Sequence, residues 1–216
     1  MSALIITSIS ESALACTLPP PASLEKQQKL WAFAEAAAAM EGVSETVTGM
    51  NNLTVFAHPQ TDLAILSDGL NKLWATIKSS AHKGRHIEIP VYYGGEFGED
   101  LAEVAAFHQT TPAEIVRRHT EPVYTVYMMG FQPGFPYLGG LPEHLHTPRR
   151  ATPRTSVPAG SVGIGGSQTG VYPFSSPGGW QLIGRTETAL FQADASPPTL
   201  LAAGDTVRFV AEKVIL

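Results

Sequence analysis

A single cysteine, Cys16, serves the whole chain of 216 residues. No intrachain disulfide framework is possible, and a reducing, cytoplasmic setting is expected. Charge is also scarce. Asp, Glu, Lys and Arg make up 15% of residues, against roughly 25% in ordinary soluble domains, which excludes a disordered chain held open by its own charge. The net charge of −5 leaves no broad basic face for phosphates, so nucleic acid is not an expected partner. No apolar run approaches the roughly 20 residues that cross a bilayer, and Met1 to Thr17 lacks the charged start of a secretory leader. A membrane is not an expected partner either. What the chain does have is a hydrophobic fraction of 44%, enough for one large core or two small ones.

Glycine and proline are plentiful and uneven. Between Gly130 and Gly184 fall 12 of the 20 glycines and 8 of the 17 prolines. Both residues disfavour helix interiors, so this stretch holds no long helix. Phe131, Phe135, Tyr137, Leu138, Tyr172, Phe174 and Trp180 interleave with them, which makes a flexible linker untenable and compact, turn-rich β structure the expected form.

The first part reads differently. Leu4–Thr7 and Ala13–Thr17 suit short strands or one bent one. After three prolines, Ser23 is placed to cap a helix from Leu24 to about Met40, with Leu30, Phe33, Ala34, Ala37 and Ala38 on one face. Val43–Thr48 and Leu53–Ala57 flank the turn residues Gly49 to Asn52. A second helix is expected from Asp62 to about Ser79, then a strand over His86–Tyr92. This order predicts a ferredoxin-like α/β sandwich over residues 1–90. Helices over Gly98–Phe107 and from Thr111 follow, the latter with Thr111 as cap and Pro112 at its first position. Strands at Val123–Met129, Val162–Ile164, Trp180–Arg185, Thr188–Phe191 and Thr206–Val210 then predict a β-barrel-like domain over 91–216. The fold class is α+β.

The common catalytic signatures fail in turn. No lysine follows a glycine-rich turn as a phosphate loop requires. Gly163 to Gly170 has the wrong spacing for a dinucleotide loop, and Thr169 replaces the second glycine of a nucleophile elbow around Ser167. The pairs His82/His86 and His144/His146 have no cysteine or carboxylate cluster beside them and read as exposed loop histidines rather than metal ligands. Cys16 reads as a core thiol, with no activating base in view. No metal ligand set and no catalytic residue is identified.

One charge feature stands out. From Thr147 to Thr186 there are four arginines (Arg149, Arg150, Arg154, Arg185) and no acidic residue. Either they pair with carboxylates of the first domain or coat the surface, or they form an anion site. In the second case Arg149 and Arg154 face a carboxylate or phosphate beside the backbone N–H groups of Gly165 and Gly166. Gln168, Thr169 and Tyr172 then add neutral donors, and Phe131, Phe135, Tyr137 and Trp180 wall the pocket or, alternatively, fill a core.

Five blocks in this region resemble the allophanate-hydrolase-subunit-1-like family. They are Gly130 to Gly139 (GFQPGFPYLG), Thr147 to Arg154, Val157 to Gly166, Gln168 to Pro173 and Ser176 to Arg185, preceded by Ile89-Pro90-Val91. Gly49 to Val55 is similar to the 5-oxoprolinase branch of that family. The resemblance implies a ferredoxin-like first domain and a cyclophilin-like barrel, without prolyl isomerase activity. It further implies a component that acts with A and C subunits to open 5-oxo-L-proline to L-glutamate. ATP is the implied co-substrate, and magnesium is expected with it. On this expectation the site is completed by a partner, which also supplies the base. Two other roles in the family remain open here: an inhibitor docking on a sensor histidine kinase, and a carboxyltransferase-type component of urea and allophanate metabolism. A scaffold whose arginines only pair across an interface is a further alternative.

Overall fold

The computed structural model describes residues 3–79 and 84–216. The chain divides into two compact units, Met1–His82 and Lys83–Leu216, rather than after residue 90. In the first unit a hairpin of β1 (Ile5–Ser10) and β2 (Ala13–Thr17) leads to α1 (Leu24–Ala38). Then come β3 (Val43–Gly49), β4 (Asn52–Ala57) and α2 (Leu63–Thr76). Side chains cap both helices: the Ser23 hydroxyl accepts from the Lys26 N–H, and the Asp62 carboxylate accepts from the N–H groups of Ala64 and Ile65.

The sheet is antiparallel, in the order β1-β2-β4-β3. Here the sequence expectation is corrected. The strand expected to complete a βαββαβ sandwich, His86–Tyr92, leaves for the second unit, and β1 occupies the sheet edge instead. Leu14, Cys16, Leu30, Phe33, Leu53, Leu70 and Trp74 form the core, with the Phe33 and Trp74 rings edge to face at 5.3 Å. Cys16 is fully buried there, and burial pushes its thiol up to about 12.

The second unit holds β5 (His86–Gly94), α3 (Leu101–Phe107), α4 (Pro112–Thr120), β6 (Tyr124–Met129) and β7 (Pro136–Gly139). It continues with β8 (Arg154–Val157), β9 (Ser161–Gly165), β10 (Gln168–Val171), β11 (Ser176–Gly178), β12 (Gln181–Arg185) and β13 (Thr206–Ile215). Seven strands close into a barrel in the order β10-β7-β6-β13-β5-β12-β9, with β9 pairing back to β10. Strands β8 and β11 form a separate ribbon. β5 alternates as a half-buried strand must: Ile89, Val91 and Tyr93 point into the barrel while Glu88 and Pro90 face out. Thr188–Phe191 is not a strand; Phe191 makes only an isolated bridge to Thr199, because this segment runs as a loop turning back on Leu200.

His119 is fully buried beneath the barrel wall. Its Nδ1 lies 2.8 Å from the Tyr93 hydroxyl and its Nε2 lies 2.9 Å from the Thr169 hydroxyl, which itself donates to the Gly163 carbonyl. Thr169 therefore accepts from His119, placing the imidazole proton on Nε2. Desolvation lowers the His119 pKa to about 3. Of the histidine pairs, His82 lies outside the described residues. His86 opens β5 rather than lying in a loop, with Nδ1 3.0 Å from the Thr206 hydroxyl. His144 is exposed and His146 meets the Leu141 carbonyl at 3.0 Å.

Candidate functional site

A cleft of about 500 Å³ opens between α3, the loop Thr147 to Thr152 and the start of β12. Its walls include Val104, Phe107, Thr147, Arg149, Arg150 and Gln181. Two hydrogen bonds fasten the loop to β12 and the residues just before it: Arg150 N–H donates to the Gly179 carbonyl at 2.8 Å, and Gln181 Nε2 donates to the Pro148 carbonyl at 3.0 Å. The loop thus runs beside β12 with its arginines presented to the cleft.

The acid-free arginine run finds its counter-charge within its own unit, not in the first one. Asp100, just before α3, is 2% exposed. Its Oδ1 accepts from Arg150 Nη1 at 2.8 Å and Arg154 Nη2 at 2.7 Å, and its Oδ2 accepts from the Leu182 N–H at 2.6 Å. Glu99 adds a second contact to Arg154 at 3.3 Å. The first cause of the raised Arg154 pKa is its hydrogen bond to Asp100, so that guanidinium is firmly charged and already engaged. Arg185 sits over the Phe97 ring at 4.6 Å. Arg149 makes no ion pair among the described residues; its guanidinium carbon stands 5.9 Å from the Trp180 ring centre. Of the two arginines expected to bind an anion, Arg149 lines the cleft and Arg154 stands behind it on Asp100.

The glycine segment is a hairpin and not an open cradle. Gly165 pairs with Gln168 across β9 and β10, and Gly166, at φ 65°, donates its N–H to the Thr147 carbonyl at 2.8 Å. The backbone N–H expected to be free at Gly166 is therefore bonded. Thr169 is buried with its hydroxyl on Gly163 and His119. Gln168 is half-buried on β10.

The aromatic residues meet one another. Phe135, Tyr172 and Trp180 are buried in a small core with Val157 and Leu182, and Tyr137 packs against it. The Phe135 ring lies edge to face with Tyr172 at 5.2 Å and with Trp180 at 5.5 Å. Phe131 is the exposed member, at 59%. The core reading describes Phe135, Tyr172 and Trp180.

Sequence reasoning passed over Asp100, Gln181 and His108. His108 Nε2 lies 3.0 Å from the hydroxyl of Thr147 on the cleft wall. Desolvation, then the nearby Arg118 and His144 charges, lower its pKa. It lies outside the acid-free run, as do Asp100 and α3, and no local pattern ties them to it. Among the described residues no three His, Cys, Asp or Glu side chains gather as metal ligands, and no helix is long and apolar enough to cross a membrane.

The chain is 64% identical over 211 residues to the 5-oxoprolinase B subunit of Haemophilus influenzae, covering 98% of this chain and 99% of that one. Against the 5-oxoprolinase B subunit of Escherichia coli O157:H7 it is 50% identical over 206 residues, covering 95% and 94%. A crystal structure of TTHA0988 superposes with a TM-score of 0.79 at 34% identity. That match covers 93% of this chain but only 40% of the other, so the chain spans about two fifths of that longer protein. The family model described as carboxyltransferase domain, subdomain C and D, matches residues 4–201. With most of its length matched, the chain belongs to the carboxyltransferase domain, subdomain C and D, family.

Proposed function

We propose that this chain is one component of an ATP-dependent 5-oxoprolinase, acting in the cytoplasm with A and C subunits to convert 5-oxo-L-proline to L-glutamate. The observation that carries this reading is the identity of 64% and 50% to two proteins named as the B subunit of 5-oxoprolinase, across nearly the whole of each. The cleft agrees with it chemically. A lactam carbonyl resists water because nitrogen lone-pair donation stabilises it. Moving the γ-phosphoryl group of ATP onto the carbonyl oxygen makes the carbon attackable. Water then adds to that carbon, the C–N bond breaks as nitrogen takes up a proton, and a second water hydrolyses the resulting acyl phosphate to leave the carboxylate and free phosphate. Negative charge grows on oxygen throughout, so fixed cations and N–H donors are what the protein must supply.

Arg149 and Arg150 stand on the cleft wall, and Asp100 holds Arg150 in place without neutralising Arg149. The magnesium expected with ATP finds no matching donor set among the described residues, and the chemistry proposed for this chain does not use it. The chain by itself is expected to form no glutamate.

The test is reconstitution: mix purified chain with A and C subunits, 5-oxo-L-proline and ATP, and follow glutamate. Omitting this chain is expected to drop the rate to background. An unchanged rate without it overturns the proposal.

A further inference from the structure

The two residues that flank α3 turn their side chains away from it. Asp100 stands at the N-cap, where a carboxylate ordinarily accepts from the first N–H groups of the helix, yet it makes no such bond. It bonds Arg150 and Arg154 instead. His108 stands at the C-cap, and its Nε2 lies 3.0 Å from the Thr147 hydroxyl. That hydroxyl donates to the Leu145 carbonyl at 2.9 Å. It therefore accepts from His108, whose ring proton lies on Nε2.

Both grips fall on one loop. Thr147 opens the segment that bears Arg149 and Arg150, and the Asp100 carboxylate takes hold of it further along, at Arg150 and Arg154. α3 has seven residues, so the grips come from opposite ends of a helix about 10 Å long. Other bonds fasten the loop to its own wall of the cleft. Thr147 and Gly166 exchange N–H···O=C bonds, Gln181 holds the Pro148 carbonyl, and the Gly179 carbonyl holds Arg150 N–H. Asp100 and His108 differ from these in joining the loop to the facing wall, where Val104 and Phe107 stand. They set the distance between the walls. Arg149 has no ion pair among the described residues and stands 5.9 Å from the Trp180 ring centre. Its place is thus governed by what holds Thr147 and Arg150 on either side of it.

We propose that His108 is a positioning residue: through Thr147 it clasps the arginine loop to α3 and fixes where Arg149 stands in the cleft. That the clasp serves catalysis rests on the 5-oxoprolinase reading; that it holds the loop does not. His108 is also the grip that can be removed without stranding the buried Asp100 charge.

The test has two arms. In the purified full-length chain, amide hydrogen exchange follows the mutually bonded N–H groups of Thr147 and Gly166. His108→Leu is expected to speed both at least about tenfold while the α3 amides keep their wild-type rates. His108→Gln, whose amide nitrogen can donate in place of Nε2, is expected to restore them. Thr147→Val is expected to match His108→Leu, and the double variant to add no further loss. In the complex reconstituted with A and C subunits, His108→Leu is expected to lower kcat about tenfold with KM changed less than twofold. Displaced cations weaken the transition state more than the bound substrate. His108→Gln is expected to recover most of that rate. Unchanged exchange in His108→Leu, no rescue by His108→Gln, or additive losses in the double variant each overturns the clasp. An active complex whose kcat is untouched by His108→Leu, or whose loss lies wholly in KM, overturns the positioning role. A wild-type complex that forms no glutamate sinks the 5-oxoprolinase reading alone, and the exchange rates then decide the clasp.

Discussion

Asp100 and His119 are both buried polar side chains of the barrel unit, and their surroundings differ. Asp100 accepts hydrogen bonds from two guanidinium groups and a backbone N–H, whereas burial keeps His119 neutral. For His119 the consequence is acid sensitivity. Its folded pKa of about 3 lies below the ordinary 6.5, so the folded state binds fewer protons than the unfolded one. The stability this contributes is fully present above pH 6.5 and is lost as pH falls from 6.5 toward 3. Thermal midpoints measured from pH 7 to pH 5, above most carboxylate titration, are expected to fall for the wild-type chain. His119→Gln is expected to start lower, because it disturbs the Tyr93 and Thr169 hydrogen bonds, yet to decline less over that interval. An equal decline in both would assign the acid sensitivity to other groups. Neither role was legible beforehand. An arginine run with no acid nearby does not reveal that its carboxylate lies 50 residues upstream, and a single histidine in a helical segment gives no sign of its burial.

Helices and turns were the easiest elements to read, because their signals are local. Ser23 and Thr111 cap as expected, and Pro112 opens α4. The Gly49 to Asn52 turn does join two paired strands. The short strands β7, β8, β10 and β11 of the second unit carried no such signal. Each has three or four residues, too few for an alternation to show, and their glycines and prolines argue against strand on propensity alone. Glycine is nonetheless required by packing at the end of β9. The Trp180 ring lies against Gly165, and a Cβ added there would overlap the ring atoms. Gly165→Ala is therefore expected to cost about 1–3 kcal/mol, the usual penalty for overfilling a packed site. Denaturant midpoints measure it, and a change in Trp180 fluorescence should accompany the loss. A neutral substitution would mean that Trp180 can swing away freely.

Across the whole molecule, the glycine- and proline-dense stretch from Gly130 to Gly184 holds short strands and no α-helix, and the two units part before His86. The division came out late by one strand. Nothing within His86–Gly94 says which sheet it joins, since an alternating strand fits either; only its partner decides. The two cores also differ in one chemically useful respect: the chain's only thiol, Cys16, is in the first. In graded denaturant, labelling of Cys16 by a thiol reagent is expected to track opening of the first unit. It should diverge from Gly165→Ala destabilisation, which belongs to the second. A labelling midpoint that shifts with Gly165→Ala would show that the units unfold as one.

The partner of β5 is β13, alongside it in parallel from His86 with Thr206 to Gly94 with Ile215. Those strands are separated by about 120 residues of chain, whereas every strand pair of the first sheet closes a far shorter loop. Long closures are slow, since the entropy of the intervening chain is lost before the contact repays it. On a ribosome the first unit is complete while the barrel still lacks its sealing strand. For that interval the barrel's apolar interior and its unpaired β5 edge stand open to the cell, and that is when this protein is most exposed to misassociation and most in need of a chaperone.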